Sequence, residues 1–302
     1  MKFSGVIPIL VTPFNEDESI DLDSIATMIE LMREIHVDGV TILGVLGEAN
    51  RLTDEERVKV ITTSVEVSGD LPVIVGTSAA GTAAVIEYNE IAKKHGASAV
   101  MVTPQKEQSP SDSKVYEHFK SILSKSELPV ILQDHPASTG VHMSNDLMFE
   151  MLDNLPGFAG IKLEAVPTAP KLQALKQRYG DRFPIMTGLG ALYGAFDLKS
   201  GSDGFNTGFA FPEVLQKMVS ACQKGDLENV YRIYSNFLPL IVYEQQPGVG
   251  IRKELLKLRG AIGCSRVRSP GAQAHVSVKT NLTELTDRLL PGQPLTRPIK
   301  VS

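Results

Sequence analysis

Residues 129–164 read PVILQDHPASTGVHMSNDLMFEMLDNLPGFAGIKLE, and this stretch decides the fold. Pro129 to Gln133 is a short apolar run of strand length, and Phe158 to Glu164 is a second one. Between them, Ser144 to Leu155 places apolar residues at helical spacing behind a serine that is suited to cap a helix. A strand, a helix and a second strand in this order predict two parallel strands joined by a helical crossover.

The same alternation of strand and helix runs through the first 210 residues. The other short apolar runs are Val6 to Pro13, Gly39 to Val45, Pro72 to Thr77, Ala99 to Pro104, Phe183 to Gly188 and Asp203 to Phe209. Eight strands are the number that closes a barrel. An open doubly wound sheet often carries a glycine-rich phosphate loop after its first strand, whereas residues 12–15 here read TPFN. The sequence therefore predicts an α/β fold, a (β/α)8 TIM barrel, whose core is residues 1–210.

Two early segments illustrate the predicted barrel helices. Asp21 to Ile35 carries a helical apolar stripe, which consists of Ile25, Met28, Ile29, Leu31 and Met32. Thr53 to Val67 begins with Thr-Asp-Glu-Glu, which is an N-cap residue followed by acids in the first turn. We expect both helices to pack their apolar faces against the barrel.

The pattern changes to helix only after Phe211 and continues so to about Gly263. A last helix is predicted from about Ser277 to Leu290, followed by a proline-containing tail that we expect to be loose. Residues 211–302 are therefore predicted to form the last barrel helix, a C-terminal helical extension and a tail. We expect the extra helices to pack outside the barrel or between subunits.

The composition excludes several classes of function. The chain has a net charge of −5 and no run of basic residues, which disfavours nucleic acid or an anionic membrane as a partner. Its apolar runs are too short to span a bilayer. The six histidines show no metal-ligand spacing, so no metal and no cofactor are expected. Cys222 and Cys264 fit no redox or zinc motif, and a reducing cytoplasm is the expected location.

In such a barrel the working residues lie at the carboxyl ends of the strands and in the loops that follow. This rule selects seven candidate segments. They are Gly44 to Glu48, Thr77-Ser78, Thr103 to Gln108, Gln133 to His135, Lys162 to Glu164, Thr187 to Gly190 and Asn206-Thr207.

Lys162 is the one lysine in an apolar strand. Side chains alternate along a strand, so Lys162 and Glu164 point to the same side, and we expect that side to be the barrel interior. Apolar surroundings lower the pKa of a lysine and favour the neutral amine that a Schiff base requires. The alternative is a structural ion pair near the rim, and the residues by themselves leave both possibilities open.

Five segments in register resemble the dihydrodipicolinate synthase / N-acetylneuraminate lyase family of class I aldolases. They are Thr12-Pro13-Phe14, Gly44-Val45-Leu46-Gly47-Glu48, Val102-Thr103-Pro104, Pro129-Val130-Ile131-Leu132 and Gly160-Ile161-Lys162. Within the family, the branch that the chain resembles most is that of the 2-keto-3-deoxyarabonate dehydratases. The resemblance implies that Lys162 forms an imine with a 2-oxo acid. It also implies that Gly44, Val45, Leu46 and Gly47 bind the substrate carboxylate through backbone N–H groups. Glu48 either holds this loop or caps the helix that begins near Thr53.

The sequence departs from the family where protons are usually moved. Gln133 stands in place of the family's tyrosine, Val45-Leu46 in place of its threonine pair, and Gln105 and Lys106 in place of the tyrosines after strand four. An amide cannot relay a proton as a phenol does. We therefore predict that Glu164 is the base and that His135 is either an acid or a structural residue. Gln133 is predicted to contact a substrate hydroxyl, and Thr207, Asn206 and Tyr193 are weaker candidates for such a contact.

These features favour a lyase that dehydrates a 2-keto-3-deoxy sugar acid. Alternatives on the same scaffold are a retro-aldolase or synthase that uses pyruvate, and a deaminase of a cyclic imine. A catalytically silent sensor of a 2-oxo acid is the alternative from a different class. The extension and the family resemblance also predict a homodimer or homotetramer.

Overall fold

A computed structural model of the chain describes residues 3–106, 111–246 and 248–301. Glu107 and Gln108, which end one of the predicted rim segments, lie outside these residues. The strands are β1 Gly5–Val6, β2 Val40–Ile42, β3 Val73–Gly76, β4 Ala99–Val102, β5 Val130–Asp134, β6 Phe158–Leu163, β7 Ile185–Thr187 and β8 Gly204–Phe205. They are parallel and form one sheet in the order β1-β8-β7-β6-β5-β4-β3-β2. A parallel bridge between Ile9 and Thr41 joins the chain after β1 to β2 and closes the barrel, as predicted.

Helices follow the strands on the outside of the barrel. Those up to β8 are α1 Leu22–Glu34, α2 Asp54–Ser68, α3 Thr82–Lys94, α4 Asp112–Leu123, α5 Pro136–Thr139, α6 Asn145–Asn154, α7 Thr168–Tyr179 and α8 Gly194–Lys199. After β8 come α9 Pro212–Gln223, α10 Leu227–Glu244, α11 Gly250–Leu258 and α12 Val276–Leu289. No helix in the described part of the chain is long and apolar enough to cross a membrane.

The ends of the first helices follow from their capping residues. The Asp21 side chain accepts a hydrogen bond from the Ser24 N–H and caps α1, whose predicted apolar stripe is buried. Thr53 and Glu56 form a reciprocal capping box at the start of α2. The first strand is shorter than predicted, because Pro8 has no N–H to contribute to a ladder.

The inside of the barrel is filled by alternate strand residues. A compact cluster comprises Phe3, Ile7, Ile74, Ala99, Met101, Ile131 and Met186. Ile131 on β5 is paired in register with Gly160 on β6, and Gln133 is paired with Lys162 two residues further on. Because side chains alternate, Gln133 and Lys162 point inward above this cluster. The apolar floor of the barrel therefore lies directly beneath them.

The C-terminal extension does not pack only outside the barrel. The Lys253 ammonium on α11 lies 2.5 Å from Glu48 at the barrel mouth. Arg268, in the segment between α11 and α12, pairs with Glu56 on α2 at 2.6 Å. The extension thus returns over the carboxyl ends of the strands and closes one side of the mouth.

The expectation of a loose C-terminal tail was wrong. Arg259 donates hydrogen bonds to the carbonyl oxygens of Leu295 and Arg297. The Ile299 N–H donates to Glu213, and the Ile299 side chain is buried. A buried ion pair between Arg259 and Glu213 therefore holds the tail against the barrel.

Candidate active site

The carboxyl ends of the strands open into a cavity of about 360 Å³. The predicted site residues that line it are Val45, Leu46, Glu48, Gln133, His135, Lys162, Glu164 and Thr207. Gly44 lines a neighbouring cavity of about 230 Å³, which shares Val45 and Gln133 with the first. The fold therefore brings most of the predicted site residues to one place.

Lys162 and Glu164 form a buried pair at the base of the cavity. The Lys162 Nζ lies 3.1 Å from Glu164 Oε2, and the two residues are only 2% and 5% exposed. Gln133 donates a hydrogen bond to the same oxygen at 2.7 Å. The backbone N–H of Leu189 donates to Glu164 Oε1 at 3.1 Å. Both carboxylate oxygens are thus held in a fixed orientation beside the amine.

The pair is tuned electrostatically in a direction that suits imine chemistry. Burial lowers the pKa of Lys162, and the attraction of Glu164 offsets this only in part. Burial by itself would raise the pKa of Glu164, but Lys162, His135 and the hydrogen bonds that it accepts hold it below its ordinary value. The carboxylate therefore stays ionised while the amine loses its proton more readily than a free lysine.

His135 lies beside this pair. Its Nδ1 is 2.8 Å from the Ser138 hydroxyl and 3.8 Å from Glu164 Oε2. Burial lowers the pKa of His135, which favours the neutral imidazole. The residue also occupies the N-cap position of α5. Both the acid and the structural role remain compatible with this placement.

The Gly44–Glu48 loop forms a single turn of 3₁₀ helix over Val45–Gly47. The Gly47 N–H donates to Gly44 O within the turn, and Thr12 donates to Gly47 O at 2.7 Å. Among the described residues, the N–H groups of Gly44, Val45 and Leu46 have no hydrogen-bond partner. Of the four backbone amides predicted to bind the substrate carboxylate, these three are available for it.

Glu48 anchors the end of the loop and does not cap the helix that begins near Thr53. Its Oε2 accepts hydrogen bonds from Arg51 at 2.6 Å and from the Arg268 N–H at 3.1 Å. Its Oε1 faces Lys253. The cap of the next helix is Thr53 instead. With both oxygens engaged by protein groups, Glu48 fixes the shape of the cavity wall.

The predicted hydroxyl contacts differ in their positions. Thr207 lines the cavity, and its hydroxyl accepts a hydrogen bond from the Gly190 N–H at 2.7 Å. Asn206 is fully buried and donates to Ile7 O and to the Thr41 hydroxyl, so it ties β8 to the first two strands. Tyr193 is the N-cap residue of α8 and is not part of the cavity wall.

Sequence reasoning missed the contribution of the extension to the cavity. Arg252 on α11 and Gln245 at the end of α10 line the same wall as Lys162. Glu244, which is fully buried, lies behind Arg252. The local indication was an Arg-Lys pair near the start of α11. Within residues 3–106, 111–246 and 248–301, no three His, Cys, Asp or Glu side chains gather as metal ligands.

Comparison with known proteins identifies the class. The profile of the dihydrodipicolinate synthetase family matches residues 2–288, and the chain belongs to this family. It is therefore a lyase of the class I aldolase type.

Relatives within the family carry two different names. An L-2-keto-3-deoxyarabonate dehydratase from Azospirillum brasilense is 29% identical over 96% of this chain and 96% of that protein. A 4-hydroxy-tetrahydrodipicolinate synthase from Dechloromonas aromatica is 32% identical over 78% of this chain and 81% of that protein.

Solved structures agree with the fold. The dihydrodipicolinate synthase of Rhodopseudomonas palustris superimposes with a TM-score of 0.89 at 31% identity, covering 94% of this chain and 97% of that one. The Acinetobacter baumannii enzyme, determined in complex with pyruvate, has a TM-score of 0.88 at 25% identity, with coverage of 95% and 99%.

Proposed function

We propose that this protein forms a Schiff base between Lys162 and a 2-oxo acid and dehydrates a 2-oxo-3-deoxy sugar acid. The observation that carries the proposal is the buried Lys162–Glu164 pair, which faces an open cavity. Other buried pairs, such as Lys171–Asp134 and Arg259–Glu213, do not line this cavity.

The chemistry uses the two side chains in turn. The neutral Lys162 amine adds to the C2 carbonyl, water leaves, and an iminium forms. The Glu164 carboxylate then removes a C3 proton, and the electron pair of that bond forms the C2–C3 double bond of an enamine. The enamine expels the C4 hydroxyl, which takes the proton from Glu164 and departs as water. Hydrolysis of the conjugated iminium regenerates Lys162 and releases an unsaturated 2-oxo acid. This acid tautomerises: the C5–OH group becomes a carbonyl, and the two hydrogens that it loses are taken up at C3 and C4.

The site departs from a tyrosine-based proton relay, and this supports dehydration. Gln133 and the Val45-Leu46 pair have no hydroxyl to offer, so the carboxylate beside the amine is the available base. The similarity to a dehydratase over nearly the whole chain agrees with this choice. Because other relatives, such as those from Dechloromonas aromatica and Nitrosomonas europaea, are named 4-hydroxy-tetrahydrodipicolinate synthases, a pyruvate-dependent synthase or retro-aldolase is the second candidate. A cyclic-imine deaminase and a silent 2-oxo acid sensor remain further alternatives.

Two assays test the proposal together. Borohydride with pyruvate should leave a reduced adduct on Lys162, located by peptide mass spectrometry, and Lys162→Ala should show none. Incubation with 2-oxo-3-deoxy-pentonates and -hexonates should release an oxo acid that has lost one water. Free pyruvate with a stoichiometric aldehyde would favour the retro-aldolase. Release of ammonia from a cyclic imine would favour the deaminase, and an adduct without turnover would favour the sensor. The absence of an adduct with every 2-oxo acid would refute the Schiff base.

We also infer that the chain forms a homodimer or homotetramer. Phe196 on α8 is 50% exposed and stacks edge-on against Tyr231 on α10, and Val242 on α10 is 49% exposed. Apolar exposure of this kind on adjacent helices suits a contact between copies. Sedimentation velocity should give two or four times the 32.8 kDa chain mass, whereas a monomer at micromolar concentration would contradict the inference.

A further inference from the structure

Arg252 is a buried cation that lacks a well-placed partner. The residue is 7% exposed and lines the same cavity as Lys162. Its nearest carboxylate is Glu244, whose Oε1 lies 3.4 Å from Nε, and neither atom has a hydrogen bond within the described residues. A guanidinium presents five N–H donors in a planar fork and normally meets a carboxylate through two of them.

Other buried arginines and lysines of the fold are paired more closely. Arg259 contacts both oxygens of Glu213, at 2.7 and 3.1 Å. Lys253, which follows Arg252 on α11, lies 2.5 Å from Glu48 and also donates to Arg266 O. Arg51, on the cavity wall, lies 2.6 Å from Glu48. Arg252 is thus a cavity-lining guanidinium that makes no hydrogen bond within the described residues, whereas Arg51 already donates to Glu48.

Glu244 does not fully neutralise Arg252. Burial raises the pKa of Glu244 to about 7, against the opposing effect of Arg252. At neutral pH a substantial fraction of Glu244 is therefore protonated, and net positive charge remains on this side of the cavity. A buried positive charge facing a cavity favours an anionic ligand group.

We propose that Arg252 binds a second carboxylate at the far end of the substrate. The substrate class is then a 2-oxo dicarboxylic acid, such as a 2-oxo-3-deoxy aldaric acid. This inference rests on the proposed function, because the imine at Lys162 sets the position of the other end. The first carboxylate would lie against the free amides of Val45 and Leu46. A cavity of about 360 Å³ has room for a six-carbon diacid.

Matched 2-oxo acids test the proposal without knowledge of the natural substrate. The concentration that gives half-maximal borohydride trapping on Lys162 is measured for 2-oxoglutarate against 2-oxovalerate, and for 2-oxoadipate against 2-oxohexanoate. Each pair has equal chain length and differs in its terminal carboxylate. A charge-assisted hydrogen-bonded contact predicts that at least one diacid is trapped at a concentration at least about 10-fold lower than its monoacid.

Variants assign this preference to Arg252. Arg252→Gln should reduce the diacid preference to within about 2-fold, whereas Arg182→Gln, which removes an exposed arginine between α7 and β7, should leave it unchanged. Glu244→Gln keeps Arg252 and removes the competing acid, so the preference should be retained or increased. This second variant keeps the test valid if Arg252→Gln folds poorly.

The outcomes separate this inference from the proposed function. Pyruvate trapping on Lys162 with no diacid preference in either pair would overturn the role of Arg252 and leave the Schiff base intact. A diacid preference that survives Arg252→Gln, or that is lost in Glu244→Gln, would also overturn it. No adduct with pyruvate or any other acid would refute the proposed function itself.

Discussion

Gln133 and Lys162 are register partners on β5 and β6, and both contact the same oxygen of a third residue, Glu164 Oε2. The Gln133 amide donates to this oxygen at 2.7 Å, and the Lys162 ammonium lies 3.1 Å away. The Gln133 amide therefore orients the same carboxylate oxygen that lies beside the Lys162 amine. In the proposed reaction Gln133 therefore helps to set the pKa of Glu164, which is the base.

Replacing Glu164 by Gln should separate imine formation from proton transfer. The variant has the shape of the original, and a flip of the Gln133 amide restores the hydrogen bond between the two side chains. We expect the pyruvate adduct on Lys162 to survive while turnover falls about 10²–10⁴-fold, the usual size of a general-base contribution. Trapping yield and kcat, measured on the same preparation, check this. Near-normal turnover would mean that His135, a water or the substrate carboxylate moves the proton.

Gln133→Leu should shift the pH dependence of the reaction. The hydrogen bond from Gln133 lowers the pKa of Glu164, so its loss raises that pKa. A base works in its ionised form, and the acid limb of the kcat/KM profile should therefore move to higher pH. Gln105→Leu, which changes a glutamine on the wall of the neighbouring cavity, is the control and should leave the limb in place. A uniform loss of rate at every pH would assign Gln133 a purely structural role.

The sequence was sufficient to predict contacts between residues on neighbouring barrel strands. Strand alternation placed Lys162, Glu164 and Gln133 on one inward face, because each lies on a strand or directly after one and the register of parallel strands is regular. Strand ends were less accurate, as in the first strand, where a proline interrupts the ladder.

Contacts made by the extension could not be predicted in the same way. Glu48 and Lys253 are separated in the sequence by most of the barrel. Their contact depends on the path by which α11 returns to the barrel mouth. Local hydrophobic periodicity predicts that α11 is a helix but not where it packs on the barrel. The tail was misjudged for the same reason, because its anchor is the distant pair of Arg259 and Glu213.

The two ends of the Glu48–Lys253 pair should differ in their importance for stability. Glu48→Gln removes the carboxylate that neutralises the fully buried Lys253, whose other partners among the described residues are the Arg266 carbonyl and the Phe14 ring. We expect a loss of about 3–5 kcal/mol in the free energy of unfolding, the range for breaking a buried pair. Lys253→Met should cost less, about 1–2 kcal/mol, because Glu48 keeps Arg51. Urea unfolding of both variants measures the difference, and equal or reversed costs would contradict it.

The Glu56–Arg268 pair should make stability depend on acid pH. The Arg268 guanidinium holds the pKa of Glu56 down at about 2, against an ordinary value of 4.5. Between these pH values the unfolded chain binds more protons than the folded one, so stability falls as the pH falls. The contribution is complete above about pH 4.5 and disappears near pH 2.

Glu56→Gln isolates this contribution, since glutamine can also complete the capping box with Thr53. The variant should be about 2 kcal/mol less stable than the parent at pH 7. Urea unfolding at pH 7, 5, 4 and 3 should show this gap narrowing below pH 4.5 as the parent loses its advantage. Glu16→Gln, at the exposed Glu16–Arg266 pair, is the control and should leave stability nearly unchanged at each pH, because water screens an exposed pair. A gap that stays constant from pH 7 to pH 3 would contradict a contribution from the charge of Glu56.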